Sequence, residues 1–195
     1  MSGSGPMSAP PKPPSADDNA FKKELVSLIP HLRAFARTLA GDPTAADDLA
    51  QDAMMKAWDA RASYQMGTNM KAWTFMILRN QFYSEKRRSW RQSQLDQEAA
   101  ERTLVAVDDP EAPVALDELR LALATLPEEQ REALILVGAG GFAYEEAAAI
   151  CQCAVGTVKS RVSRARKALQ ATLERGGYAR DGRSAGDAMR SILAD

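Results

Sequence analysis

The chain has 195 residues, with 25 lysine and arginine residues against 26 aspartate and glutamate residues and a formal net charge of −1. This balance argues against a uniformly basic protein that coats nucleic acid, although a local basic patch remains compatible with it. No apolar run approaches the roughly 18–20 residues of a membrane span, and no secretion signal is recognisable. The only cysteines, Cys151 and Cys153, argue against a disulfide framework and suit a reducing cytoplasm. The single histidine argues against a histidine-rich metal site and a histidine-based triad.

The N-terminal part of the chain divides into a tail and a helical domain. Residues 1–16 are rich in proline, glycine and serine and offer little to bury, so they are predicted to be a disordered tail. Residues 17–91 are predicted to be all-helical because apolar residues recur at spacings of three and four. The first such stripe contains Leu25, Leu28, Ile29, Leu32, Phe35, Ala36 and Leu39. Pro30 interrupts it and is placed in the first turn of a second helix, which Gly41 ends.

Two further helices of this domain are predicted from capping residues. Asp42, followed by proline, is predicted to cap a third helix that continues to about Ala62. After a turn, Asn69 is predicted to cap a long helix that ends near Trp90. No segment in this half shows the alternation of a β-strand, so the sequence predicts a helical bundle.

The second half of the chain is predicted to be a separate helical domain. Residues 92–114 contain two prolines, paired aspartates and scattered apolar residues, which is typical of an interdomain linker. Residues 115–175 follow as the second domain, and residues 176–195 form a C-terminal tail with no assigned role. The predicted helices span about 114–125, 127–137, 144–150 and 155–175.

The last two predicted helices form a helix-turn-helix arrangement, with a turn of about four residues between them. The final helix has one apolar stripe, formed by Val155, Val158, Val162, Ala165 and Leu169. Its opposite face carries hydroxyl and cationic groups, namely those of Thr157, Ser160, Ser163, Arg164 and Lys167. Arg161 lies at the margin of this face. Such groups suit guanine edges and phosphate oxygens in a major groove. A solvated basic helix face is the alternative, and the preceding turn and short helix favour DNA contact.

A second candidate site lies in the first domain, where basic and aromatic residues are interleaved. The basic residues are Lys86, Arg87, Arg88 and Arg91. Aromatic faces can stack unpaired bases while cations follow the backbone, which indicates single-stranded nucleic acid. Packing of Trp73 and Phe82 in the core is the alternative. Tyr64 and Asn69 lie in a turn with Gly67 and are better candidates for contact, because recognition residues often lie in loops on a rigid frame.

The third predicted helix is acidic, with Asp42, Asp47, Asp48 and Asp52 and no basic residue before Lys56. Phosphates would repel this face, which leaves a basic protein partner or solubility alone as its role. Cys151 and Cys153 do not form a credible zinc site, because no second cysteine pair or histidine lies nearby in sequence. With no nucleophile, metal cluster or phosphate loop, an enzyme is the least favoured class and no cofactor is expected.

The chain resembles the extracytoplasmic-function (ECF) sigma factors of the sigma-70 family. The resemblance to region 4 lies in LPEEQREALILVGAGGFAYEEAAAICQCAVGTVKSRVSRARKAL, and that to region 2 in AGDPTAADDLAQDAMMKAW and NMKAWTFMILRNQFYSEKRR. Order, spacing and linker agree over residues 20–173. The segments GTNMKAWTFMILRNQFYSE and GGFAYEEAAAICQCAVGTVKSR are similar to the EcfG group, the general stress response sigma factors of alphaproteobacteria.

This resemblance implies an all-α protein of two small helical domains, which recruits core RNA polymerase to stress promoters and has no enzymatic activity. Region 4 would read the −35 element through Thr157, Lys159, Ser160, Arg161, Ser163, Arg164 and Lys167. Region 2 would bind the −10 element, with a flipped base, through Tyr64, Gly67, Thr68, Asn69, Lys71, Trp73, Asn80, Arg87 and Arg88. The polymerase β′ coiled coil would be bound by Asp48, Leu49, Gln51 and Asp52.

The other implied partners are the polymerase β flap, promoter DNA and an anti-sigma factor of the NepR type, with no membrane and no small-molecule substrate. The linker is expected to be mobile, with the two domains changing their separation on binding. Two other functions remain open: a sigma-like decoy that binds an anti-sigma factor without DNA, and a stand-alone helix-turn-helix regulator. The face around Ser160 and Arg164 counts against the decoy, and the region 2 half counts against the regulator.

Overall fold

The computed structural model describes residues 16–95 and 114–175, which we call the first half and the second half. Residues 1–15 of the predicted disordered tail, residues 96–113 of the predicted linker 92–114 and the predicted C-terminal tail 176–195 lie outside the described residues. Every regular element within these two ranges is helical. No helix in them is both long enough and apolar enough to cross a membrane.

The first half contains four α-helices and one short 3-10 helix. They are α1 (Ala16–Ser27), α2 (Ile29–Ala40), α3 (Pro43–Asp59), the 3-10 helix (Arg61–Ser63) and α4 (Met70–Leu95). The third helix is predicted to continue to about Ala62, but α3 ends at Asp59. The chain then tightens into the 3-10 helix. α4 runs past Trp90 into the start of the predicted linker.

Local sequence explains where these helices begin and end. Asp42 caps α3, since its Oδ2 accepts a hydrogen bond from the Ala45 N–H at 2.7 Å. Gly41, which ends α2, has a φ of 75°, a left-handed conformation that glycine adopts without steric cost. The Asn69 Oδ1 accepts from the Ala72 N–H at 2.9 Å at the start of α4. These three predicted boundaries are confirmed.

The core of the first half lies between α2, α3 and α4. The apolar stripe of α2, including Leu32 and Phe35, packs on the small residues of α3 and on α4. Phe35 stacks on Phe75 of α4 with ring centroids 4.8 Å apart. Phe21 of α1 covers the end of this core, where its ring meets the Tyr64 ring at 5.6 Å.

The second half also contains four helices. They are α5 (Val114–Ala124), α6 (Glu128–Gly138), α7 (Tyr144–Cys151) and α8 (Val155–Arg175). The predicted apolar stripe of α8 is buried, with Val158, Val162, Ala165 and Leu169 at its centre. In the turn before α8, Gln152 adopts a left-handed φ of 52°. The helix-turn-helix arrangement is confirmed.

The two halves pack against each other along α4. This helix lies on α2 and α3 with one face and on α7 with another, and α2 also contacts α6. Phe75 of α4 meets Phe142, which precedes α7, with ring centroids 5.0 Å apart. Both candidate nucleic-acid sites therefore belong to one packed unit.

Replacing Asp42 by alanine is expected to lower the free energy of unfolding by about 1 kcal/mol, because one N–H at the start of α3 loses its acceptor. Asp52→Ala is the matched control, since Asp52 is exposed in the interior of the same helix, where alanine is the better helix former. Urea unfolding followed by circular dichroism measures both. Equal midpoints for the two variants would contradict the capping role.

Candidate nucleic-acid interface

The outward face of α8 is open to solvent. Lys159, Ser160, Ser163, Arg164 and Lys167 are exposed, and Thr157 is half-buried. The Arg164 guanidinium is held along the helix, with its Nε donating to the Ser160 carbonyl and its Nη2 to the Ser160 Oγ, both at 3.2 Å. Fixed donors of this kind lose less conformational freedom when they meet a base edge or a phosphate.

Arg161, which the sequence placed at the margin of this face, has a different environment. Only 15% of its side chain is exposed, and its guanidinium forms an ion pair with Glu129 of α6. Its Nη1 also lies 3.7 Å from the Sγ of Cys153. Arg161 therefore joins α8 to α6 and the preceding turn in this arrangement, while Arg164 remains available.

The loop before α4 presents some of its predicted contact residues and uses others internally. Gly67, with a φ of 85°, Thr68 and Asn69 are exposed. Tyr64 is only 8% exposed, and its hydroxyl donates to the Thr68 carbonyl at 2.7 Å. Tyr64 therefore shapes the loop from inside and does not offer its ring to a base.

The core alternative applies to Trp73 as well. Its ring packs on Tyr64 at 5.0 Å between centroids and on Phe21 at 6.2 Å. Phe82 is half-buried, and its ring meets the Tyr83 ring at 5.2 Å. Trp73 and Phe82 thus serve packing first, whereas Trp90, further along α4, is 62% exposed among the cations.

Several predicted contact residues of α4 and its cap face the second half. The Lys71 Nζ donates to the Gly140 carbonyl at 2.7 Å. Asn69 Nδ2 donates to the Glu146 Oε1 at 2.6 Å. The Asn80 Oδ1 accepts from Gln152 Nε2 at 3.1 Å. Closure of the two halves thus occupies part of this surface.

The predicted cations further along α4 remain exposed. Arg87 and Arg88 both face solvent. Arg87 lines an open cavity of about 570 Å³ between the halves, with Arg79, Asn80, Tyr83, Ser84, Glu129 and Gln152. Arg88 lines a second cavity of about 550 Å³ with Arg91 and Gln92. A polyanion would meet a basic surface at this end of the helix.

Sequence reasoning missed the central contact between the halves. The Arg79 Nε donates to the Glu132 Oε1 at 2.6 Å and the Arg79 Nη2 to the Oε2 at 3.3 Å, while the Tyr83 hydroxyl donates to the same Oε2 at 3.3 Å. The Glu132 side chain is 0% exposed and that of Arg79 13%. Two signals could have found it: the four-residue spacing of Phe75, Arg79 and Tyr83, and a carboxylate directly before the apolar stretch of α6.

Burial dominates the electrostatics of this contact. It raises the pKa of Glu132, and the hydrogen bond and charge of Arg79 oppose that rise. Burial alone would lower the pKa of Arg79, but its contacts with Glu132 raise it overall. Burial and the Glu132 charge also raise the pKa of the neighbouring Cys151 thiol to about 12.

The acidic surface of α3 faces away from these contacts. Asp48, Gln51 and Asp52 are exposed, whereas Leu49 is buried in the core and offers no surface to a partner. Met55 is 58% exposed and follows Asp48 and Asp52 at spacings that place it on the same face. The surface therefore combines carboxylates with one apolar side chain, which sequence reasoning did not single out.

Comparisons with known proteins agree with this arrangement. Residues 25–92 match the family described as Sigma-70 region 2, and residues 116–169 match Sigma-70, region 4. Over 155 residues the chain is 46% identical to the ECF RNA polymerase sigma factor EcfG of Rhodopseudomonas palustris (strain TIE-1), covering 80% of this chain and 86% of that protein.

Two solved structures are similar along most of their length. One is the sigma factor RpoE in complex with the anti-sigma factor NepR from Bartonella quintana, with a TM-score of 0.73 and 47% identity over 80% of this chain and 98% of that chain. The other is CnrH in complex with the cytosolic domain of CnrY, with a TM-score of 0.59 and 26% identity over 82% and 91% of the two chains.

The two thiols are expected to differ in reactivity. The thiolate is the reactive form, and a pKa of about 12 for Cys151 leaves about one thiolate in 10⁴ at pH 8, whereas Cys153 is partly exposed. A thiol reagent should therefore modify Cys153 of the folded chain first and reach Cys151 only in denaturant. In Cys153→Ser, labelling of the folded chain should nearly vanish. Equal labelling rates for both thiols would contradict this assignment.

Proposed function

Since the chain belongs to the extracytoplasmic-function RNA polymerase sigma factors, we propose that it directs core RNA polymerase to promoters of a general stress response. The observation that carries this proposal is the combination of both sigma-70 regions with an open polar face on α8. The protein would act in the cytoplasm as a regulatory subunit without catalytic activity of its own. Its 46% identity to an EcfG protein supports the stress-response assignment.

We infer that α8 reads the −35 element. Its hydroxyl and cationic groups, with Ser160, Ser163 and Arg164 at the centre, can contact base edges and phosphates from one exposed face. Lys159 and Lys167 flank this centre and suit phosphate contacts. Because Arg161 pairs with Glu129, we propose that it supports this helix and does not contact a base.

The −10 element is assigned to the loop before α4 and to α4 itself. Gly67, Thr68 and Asn69 are accessible in this loop, while Tyr64 and Trp73 hold it from the core. A further set would line the path of the strand: Lys71, Asn80, Arg87 and Arg88. Because the second half contacts Lys71 and Asn80, the halves must separate before a strand binds along this whole surface.

Two protein partners complete the proposed function. Asp48, Gln51, Asp52 and the exposed Met55 would bind the polymerase β′ coiled coil, and the second half would bind the β flap. RpoE from Bartonella quintana, which is 47% identical, was solved with the anti-sigma factor NepR. An anti-sigma factor of this type is therefore the proposed regulator.

Transcription by core polymerase from a promoter of the EcfG group is expected to depend on added protein and on Arg164. Arg164→Ala should weaken binding to duplex −35 DNA by about 1–3 kcal/mol, because the variant lacks the exposed guanidinium that would contact a base or a phosphate. Arg37→Ala is the matched control, since Arg37 is an exposed arginine on α2. Fluorescence anisotropy and run-off transcription measure the two effects. Wild-type activity in Arg164→Ala would remove α8 from promoter reading, and no transcription with the wild-type protein would overturn the function itself.

Reversing the charge of the α3 surface is expected to weaken binding to core polymerase. The double variant Asp48→Lys and Asp52→Lys should bind at least about tenfold more weakly at low salt, because it meets a basic partner with like charge. The difference should shrink as salt rises. The matched control is Asp17→Lys with Glu24→Lys, which makes the same change at exposed positions of α1. If both double variants bind equally, α3 is not the polymerase-binding surface, while −35 DNA binding provides the check that the fold is intact.

A further inference from the structure

The contacts between the two halves follow one face of α4. Residues 71, 75, 79, 83 and 86 recur every three or four positions, so they share one side of the helix. Lys71 binds the Gly140 carbonyl, Phe75 meets Phe142, and Lys86 forms an ion pair with Glu128. The second half therefore covers this face for about four turns of α4.

Most of these contacts are polar, and their acceptors are largely carboxylates of the second half. Glu128 faces Lys86, Glu132 faces Arg79, and Glu146 faces Asn69. Carboxylates thus bind donors of the α4 surface, where a nucleic-acid backbone would bring phosphates. Polar interfaces of this kind between parts of one chain commonly open, because both sides regain water when they part.

The pair of Arg79 and Glu132 is the centre of this interface. A fully buried carboxylate is tolerated when it is paired and hydrogen-bonded, and Glu132 obtains both from α4 through Arg79 and Tyr83. The closed arrangement leaves the α8 face and the acidic α3 surface exposed. Packing of the second half therefore covers the α4 face and leaves the other two proposed contact surfaces exposed.

We propose that Glu132 is an intramolecular latch: by pairing with Arg79 it holds the second half over the α4 face in the free chain. If the proposed function holds, a promoter strand and Glu132 compete for the same face of α4, and this consequence of the latch rests on that function. The latch keeps the free chain closed without a second protein. Binding of a strand to α4 would then require the open population, which lowers the apparent affinity.

The test compares two latch variants with two matched controls in the full chain. Glu132→Gln removes the buried charge at nearly constant volume, and Glu128→Lys places a second cation opposite Lys86 from a partly exposed position. Glu145→Gln and Glu145→Lys make the same changes on α7, at an exposed residue in the first turn that makes none of these contacts. Small-angle X-ray scattering measures closure, and fluorescence anisotropy measures binding to the nontemplate single strand of the promoter.

Both latch variants are expected to enlarge the radius of gyration, with wild-type helicity by circular dichroism, while the controls leave it unchanged. Single-strand affinity should rise by about fivefold or more beyond that of the matched control, a usual size for coupling between two states. Folded latch variants with the wild-type radius would overturn the proposal. Should Glu132→Gln lose helicity, Glu128→Lys decides by the same criterion.

A third comparison separates the latch from a general loss of packing. Arg79→Glu should open the chain, because two carboxylates then face each other, and adding Glu132→Arg should restore the closed radius by exchanging the charges. A double variant that stays as open as Arg79→Glu would count against the latch. A larger radius with unchanged single-strand affinity would support the latch and would instead remove the −10 assignment of α4 from the proposed function.

Discussion

A carboxylate without solvent-exposed surface must find a cation and hydrogen-bond donors, and Glu132 finds both on the other half of the chain. Removing a carboxylate from water costs roughly several kcal/mol, which Arg79 and Tyr83 offset through a two-point contact and a hydroxyl. Because these donors lie one turn apart on α4, the requirement fixes how α6 lies against that helix. The flanking contacts at Lys71 and Lys86 then follow from the same alignment.

In this alignment two of the proposed contact surfaces are exposed and a third is partly covered. The outward face of α8 and the acidic face of α3 are exposed in the packed unit, whereas the side of α4 that carries Lys71 is covered. The division follows from which helices bear carboxylates near the contact. α6 and α7 begin with acidic first turns, which stabilise their N-termini and also supply anions to α4.

Local signals in the sequence predicted the helices, and long-range contacts explain where prediction failed. Asp42 and Gly41 determine their boundaries through neighbours within a few residues, and the α8 stripe follows from its own periodicity. Tyr64 became a core residue because Phe21, far away in sequence, covers its ring. Arg161 pairs with Glu129 across two helices. No pattern within one helix reveals such partners, and the same holds for Arg79 and Glu132.

The chemistry of the interface also determines how it can open. When the halves are separated, water hydrates both Arg79 and Glu132. When the halves are joined, the two side chains pair with each other. Both charges are therefore satisfied in each end state. A partly opened interface that parts Arg79 from Glu132 while the carboxylate stays buried would leave an unpaired charge, which is strongly unfavourable. The ring contact between Phe75 and Phe142 buries apolar area only when the two halves are in direct contact. Intermediate separations are thus disfavoured from both sides, so the proposed opening would be a change between two arrangements and not a gradual loosening.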